Sequence, residues 1–381
     1  MKKNHFLFVA VCVIAGFCSS CQLIREDASI DGLSEEFVGM IHPGKYVYTK
    51  SMSDIDLNGA TELFLNVSEE EAWEKYTSVF YNREEEPFFE TEKYTLSLGY
   101  GAANSVLMFT TEYENAYESY SYAMFAEFMK YSASSELLRI AFPDEKLDSC
   151  TKEEALAFCY PYAKYLGYEN AEAEVYAVTL DILESTAEIY KYGNTGAPVP
   201  GYCTELLTEE EYTEAYARGG LGAVAELRDQ KKSKIKENKI PWSKKDEAFV
   251  IRYVKYYDGI EVEAQWPLII VYAPQYEKPV LLQGSFAQEE IATMQADLPI
   301  TSDNAVAKVL AYKGLDSLEN IEIKGIAPVY GQTLVEEERL GPVMQMMPYW
   351  KIEYQLKNRT EQTTGADRGV IRVDAVYGEI N

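Results

Sequence analysis

The sequence predicts an α+β protein built of small antiparallel sheets, each covered by a helix. Three observations carry that expectation. Helices open on capping residues and stop at glycine, two-residue turn signatures separate alternating segments, and a helix-then-strand unit recurs weakly along the chain. At 47% hydrophobic and 13% aromatic residues, the 381-residue chain has the material for a packed core, which excludes disorder as a description of the whole.

The first element is an address. Lys2 and Lys3 form a basic start, residues 6–17 an apolar run, and Ser19 and Ser20 lead into Cys21. A run of about a dozen apolar residues is shorter than the ~20 needed to span a bilayer, and the order basic, apolar, small is that of a signal peptide. Ser19, Ser20 and Cys21 fit a bacterial lipoprotein signal, with Cys18 standing where leucine is usual. Residues 1–20 are therefore expected to be removed and Cys21 lipidated, placing the protein outside the cytoplasm on the cell membrane; ordinary cleavage before Cys21 would give a secreted form. Two acyl chains on one cysteine meet the two-signal requirement for stable anchoring. Residues 21–40 read as a flexible tether with a reach on the order of 25 Å for ~20 residues.

Helix starts follow. Ser68 with Glu71 opens a helix to about 81, Thr151 with Glu154 one to about 166 before Gly167, and Thr208 with Glu211 one to about 217 before Gly219-Gly220. A fourth runs from Ser302 to about 312 and stops at Gly314, and Pro161 predicts a kink in the second. Asn58-Gly59 and Asp258-Gly259 carry two-residue hairpin signatures between alternating runs. Alternation also marks 349–356 and 370–376 as strands, and 113–131 leans to strand beside apolar 106–109.

The repeat joins helix, Tyr165-Leu166-Gly167 and strand in 151–179 to helix, Tyr312-Lys313-Gly314 and strand in 302–329. The last unit resembles the PepSY-like domain and the extracytoplasmic regulators of sensor kinases of the YycH and YycI type, through the helix 303–312, Pro348-Tyr349-Trp350-Lys351-Ile352 and Val373-Asp374-Ala375-Val376-Tyr377-Gly378-Glu379-Ile380. In PepSY-like domains the last hairpin often has Thr where Tyr377 stands. Residues 151–169 and 253–262 are similar to tandem-PepSY lipoproteins of clostridia. The resemblance spans roughly the last 230 residues. It implies PepSY-like units in tandem and regulation by protein contact, with a membrane protein such as a sensor kinase as partner and no catalytic residue to carry over. The organisation expected is a domain at 41–150, a first unit at 151–285 with a basic linker at 229–247, and a second unit at 286–381.

Charge narrows the partners. The net charge is −27, with 62 acidic residues against 35 basic, which repels nucleic acid and anionic headgroups. The basic run from Lys231 to Lys245 reads as a solvated linker or as a docking patch for an acidic partner.

Chemistry is mostly excluded. Past the signal one histidine remains, His42, close to the tether, so triads and His-rich zinc sites lack their imidazoles. No phosphate-loop or dinucleotide motif occurs, and no cofactor is expected. Asp54-Ile55-Asp56-Leu57-Asn58-Gly59 matches the first half of a calcium loop, but Leu65 stands where the bidentate Glu belongs, so a turn is expected and no metal. Cys150, Cys159 and Cys203 are an odd set in which one pair could close. The 31 tyrosines are the better lead, because tyrosine is enriched at recognition surfaces. Tyr113, Tyr117, Tyr120 and Tyr122 are the candidate binding residues. The expected function is non-catalytic binding or regulation at the envelope. A hydrolase using paired carboxylates and a glycan- or small-ligand-binding lipoprotein are the alternatives.

Overall fold

Capping chemistry builds the helices. In the computed structural model, which describes residues 32–51, 55–77, 86–101, 103–111, 142, 146–183, 209–232, 243–295, 300–358 and 368–380, α1 spans Leu57–Leu65 and α2 Glu69–Lys75. The Asn58-Gly59 signature thus lies inside a helix and not in a hairpin. Asp56 two residues earlier decides it, because its Oδ1 accepts the Gly59 N–H at 2.9 Å as an N-cap. A Cβ on Gly59 would sit 2.5 Å from Asp56 Oδ2, so the glycine makes room for the cap. Helix α2 opens on Ser68 as expected but ends at Lys75.

Helix α3 (Lys152–Tyr165) has both arms of the Thr151–Glu154 capping box and continues through Pro161. Helix α5 (Ser302–Lys313) is capped by Thr301 and stops at Gly314, whose φ of +70° is the left-handed conformation a helix end favours. Between them in sequence, α4 (Glu209–Lys232) is the described part of a separate unit and is taken by itself. Helix α4 is interrupted at Gly219-Gly220, the expected stop, and then resumes to Lys232; Ala215 and Val224 are buried with Leu227 against them.

The other unit, residues 27–183 and 242–381, overturns the expectation of separate small sheets. Among the described residues it holds one mixed sheet of 13 strands. These are β1 (Lys45–Ser51), β2 (Phe88–Glu90), β3 (Tyr94–Gly99), β4 (Val106–Thr111), β5 (Glu172–Val178), β6 (Ala248–Tyr257), β7 (Ile260–Glu263), β8 (Leu268–Tyr272), β9 (Leu281–Ser285), β10 (Gln288–Gln295), β11 (Ile321–Glu337), β12 (Gly341–Leu356) and β13 (Arg368–Asp374). Their order is β10-β1-β12-β11-β7-β6-β8-β9-β4-β3-β2, with β13 beside β12 and β5 beside β6.

Strand β6 makes the sheet continuous. Its residues 248–254 pair with β5, five of them also with β8, while its last three pair with β7 around the expected Asp258-Gly259 turn. Strand β7 then pairs in parallel with β11, Glu261 opposite Val329, a partner nearly seventy residues away. Residues 248–254 are buried throughout, and their near-continuous apolar run is what a strand covered on both faces requires.

One core cluster packs α1 and α3 against β3, β4, β6 and β8, and another packs α5 against β12 and β13. Strand β9 contains Gly284, whose missing Cβ would lie 2.7 Å from the Leu268 backbone. We predict that Gly284→Ala destabilises this unit by about 2 kcal/mol, the usual cost of overpacking, read as a lower urea midpoint at constant slope. An unchanged midpoint would show that β8 and β9 can separate at no cost.

Residues 33–40, expected as part of a tether, lie against this unit. Leu33, Phe37 and Met40 pack on the α5 cluster, and the Gly39 N–H donates to Asp303 Oδ2 at 2.6 Å. Ser302 fixes the same segment, its hydroxyl donating to the Phe37 carbonyl at 2.6 Å and accepting the Met40 N–H at 3.0 Å.

Candidate functional site

The sheet forks where β7 ends. Strand β6 carries β7 and β8 one after the other on a single edge; β7 continues the sheet to β11, and β8 continues it to β9. Strand β9 then runs through Phe286-Ala287 into β10, which pairs with β1, and β1 returns to β12. The strands therefore form a circuit around the fork, closed by covalent chain between β9 and β10. Within it lies a cleft of about 440 Å³.

One face of the fork carries a chain of alternating charges. Alternation along strands puts Glu174, Arg252, Glu261, Glu263, Lys351 and Arg372 on that face, and register sets them side by side: Glu174 is opposite Arg252, and Lys351 opposite Arg372. Arg252 Nε lies 2.8 Å from Glu174 Oε2 and its Nη2 lies 3.2 Å from Glu261 Oε1. Lys351 Nζ is 3.3 Å from both Glu261 Oε2 and Glu263 Oε1, and Glu263 Oε2 also pairs with Arg372 Nε. Glu263 thus bridges two cations that stand opposite each other. Three acids meet three bases, and the Lys351 side chain is only 7% exposed.

Tyrosines frame the charges. Tyr256 is directly opposite Glu261, lines the cleft and is 50% exposed. Burial first, and the Glu172 carboxylate second, push its phenol above the ordinary value. The Tyr257 hydroxyl donates to Glu290 Oε2 at 2.7 Å, and that bond with partial burial pushes its pKa up to about 12. Tyr349 lies across Gly331, where a Cβ would meet the ring at 2.8 Å, so the glycine gives the ring its seat.

On the opposite side Lys255 Nζ stands 3.9 Å above the Tyr168 ring, a cation–π arrangement. Desolvation lowers its pKa to about 8, partly offset by Glu169. Tyr168 is held rigidly: its N–H donates to Ala163 at 2.8 Å, and Gly167 before it leaves no room for a Cβ beside Ala287.

Several expected site residues fall elsewhere. Cys21, Tyr113, Tyr117, Tyr120, Tyr122, the 113–131 segment and Cys203 lie outside the described residues. Cys150 and Cys159 are buried as thiols, and burial pushes both thiol pKa values up. Among the described residues no three His, Cys, Asp or Glu side chains gather as a metal site would need, and no helix is long and apolar enough to cross a membrane.

His42 is not at the edge of a loose segment. It is fully buried, with Nδ1 accepting the Gly44 N–H at 3.1 Å and Nε2 3.2 Å from the Val329 carbonyl. Its ring makes T-shaped contacts with Tyr330 and Trp350, with ring centroids 5.4 and 5.8 Å away.

The charge chain was missed by motif reading because no motif contains it. Its trace in the sequence is a charged residue where strand alternation continues on both sides, as in Ile260-Glu261-Val262-Glu263 and Trp350-Lys351-Ile352. Comparison with family models and with curated proteins finds no match to the chain.

Proposed function

We propose that this is a membrane-anchored extracytoplasmic lipoprotein that works by contact with an envelope partner, without turnover, and that the cleft at the sheet fork is the contact surface. The observation that supports it is the charge chain. Glu261 and Glu263, the two carboxylates that line the cleft, each have two cationic partners and are held in ion pairs, while exposed Tyr256 gives a rim suited to recognition. The anchor rests on residues 1–21, and the regulatory character on the resemblance to PepSY-like and YycH/YycI-type regulators. A sensor kinase is the partner class that the resemblance suggests.

The test is photo-crosslinking in the native membrane from a benzophenone residue at Thr333, which lines the cleft, with exposed Glu70 of α2 as the control position. We expect one membrane protein to be captured from Thr333 and not from Glu70, and to be lost when Cys21→Ser abolishes palmitate labelling. Capture of nothing from Thr333, with the protein correctly anchored, would overturn the reading.

A further inference from the structure

The face bearing the charge chain is not balanced at its rim. Beyond the three matched pairs, Glu172 on β5 is exposed beside the Tyr256 hydroxyl, and Glu353 lies two residues along β12 from Lys351, on the same face. The inner acids are held by Arg252, Lys351 and Arg372, whereas among the described residues no ion pair holds Glu172. The field of the whole chain, at −27, has the same sign and draws a cationic partner toward the surface.

Tyr256 adds the second element. Tyr160, Tyr216, Tyr256, Tyr312 and Tyr377 are exposed among the described residues, and of these only Tyr256 lines the cleft. An exposed phenol ring beside a carboxylate at a cleft mouth suits a guanidinium or ammonium group, which gains from the ring face and the charge together. A carboxylate ligand meets the opposite situation on this face, since its three cations, Arg252, Lys351 and Arg372, are already paired.

We propose that the cleft docks a basic, arginine- or lysine-bearing segment of the partner protein, packed on Tyr256 and paired with Glu172. This rests on the contact function proposed above and specifies the partner's chemistry. The β10 edge of the sheet, next to the cleft's circuit, offers no rival site of equal quality. Strand β10 is bulged at its pairing with β1 between Tyr48 and Thr49 and carries Glu289 and Glu290, devices that discourage strand addition.

The experiment uses the full-length protein in detergent and a labelled ten-residue Gly/Ser peptide carrying four arginines, with a four-glutamate version as its counterpart, at physiological salt. We expect saturable binding of the arginine peptide alone. Tyr256→Ala and Glu172→Gln should each weaken it about 5-fold, and Tyr256→Phe, which keeps the ring, should leave it nearly unchanged. Glu70→Gln with Glu74→Gln on α2 removes two charges far along the sequence from the cleft and should have little effect.

Equal loss from the α2 variant and from Glu172→Gln would mean attraction to net charge only, and would overturn the proposal. So would binding insensitive to Tyr256→Ala, or no binding of the arginine peptide. Failure here is separable from failure of the contact function. If crosslinking from Thr333 still captures a partner while Tyr256→Ala changes nothing, the contact stands and its basic chemistry falls; if nothing is captured, the contact function itself falls.

Discussion

Replacing Lys351 by methionine should destabilise the sheet-bearing unit by about 3 kcal/mol, because it leaves two largely buried carboxylates without their shared cation. The Lys351 ammonium lies 3.3 Å from both Glu261 and Glu263, and its methylene stem packs inside the sheet. Methionine preserves the stem, so the loss isolates the charge. Glu261 would keep Arg252 and Glu263 would keep Arg372, which places the expected cost at the lower end of the range for breaking a buried pair. Lys351→Arg should cost clearly less, since it restores the charge at some expense in fit. Urea unfolding measured for the three proteins decides the matter: a loss under 1 kcal/mol for Lys351→Met would mean that water already screens the site, and that the charge chain does not hold the fork.

That expectation concerns residues whose importance is only half written in the sequence. Local chemistry was legible where a few neighbouring residues settle it: the Thr151–Glu154 box, the Gly314 stop and the Asp258-Gly259 turn all form as their spacing implies. Asn58-Gly59 misled because a turn dipeptide is also compatible with a helix when Asp56 supplies the cap. Partner choice between strands was not legible. Alternation says that Ile260-Glu261-Val262-Glu263 is a strand with two glutamates on one face, but nothing local says that its free edge pairs with Val329–Gly331 instead of ending a small sheet. The single sheet and the charge chain share this origin. Each is made by register between segments far apart in sequence, and a charged residue on an alternating strand reads as solvent-facing until that register is known.

His42 gives the second large effect, and it depends on pH. Burial lowers its pKa from the ordinary 6.5 to about 4, only partly offset by the Val329 carbonyl. In the geometry seen, Nδ1 accepts the Gly44 N–H, so the neutral ring carries its proton on Nε2 and donates to Val329. A second proton would have to displace the Gly44 bond and place a charge among Tyr330 and Trp350. Because the folded state holds the lower pKa, the unfolded chain binds the proton first as pH falls. The His42 contribution is therefore complete above pH 6.5 and drains away between 6.5 and 4, by about 2.5 kcal/mol at pH 4.5. Carboxylates titrate in the lower part of this window, so the informative quantity is the difference between the native protein and His42→Asn, which carries no titrating group. At pH 7 the native protein should be the more stable of the two, and this advantage should shrink by about 2.5 kcal/mol at pH 4.5 in paired urea titrations. A difference that stays constant with pH would mean that the ring is not sealed in its neutral form. In that case the segment His42-Pro43-Gly44 would have to be held to β11 by its apolar packing alone.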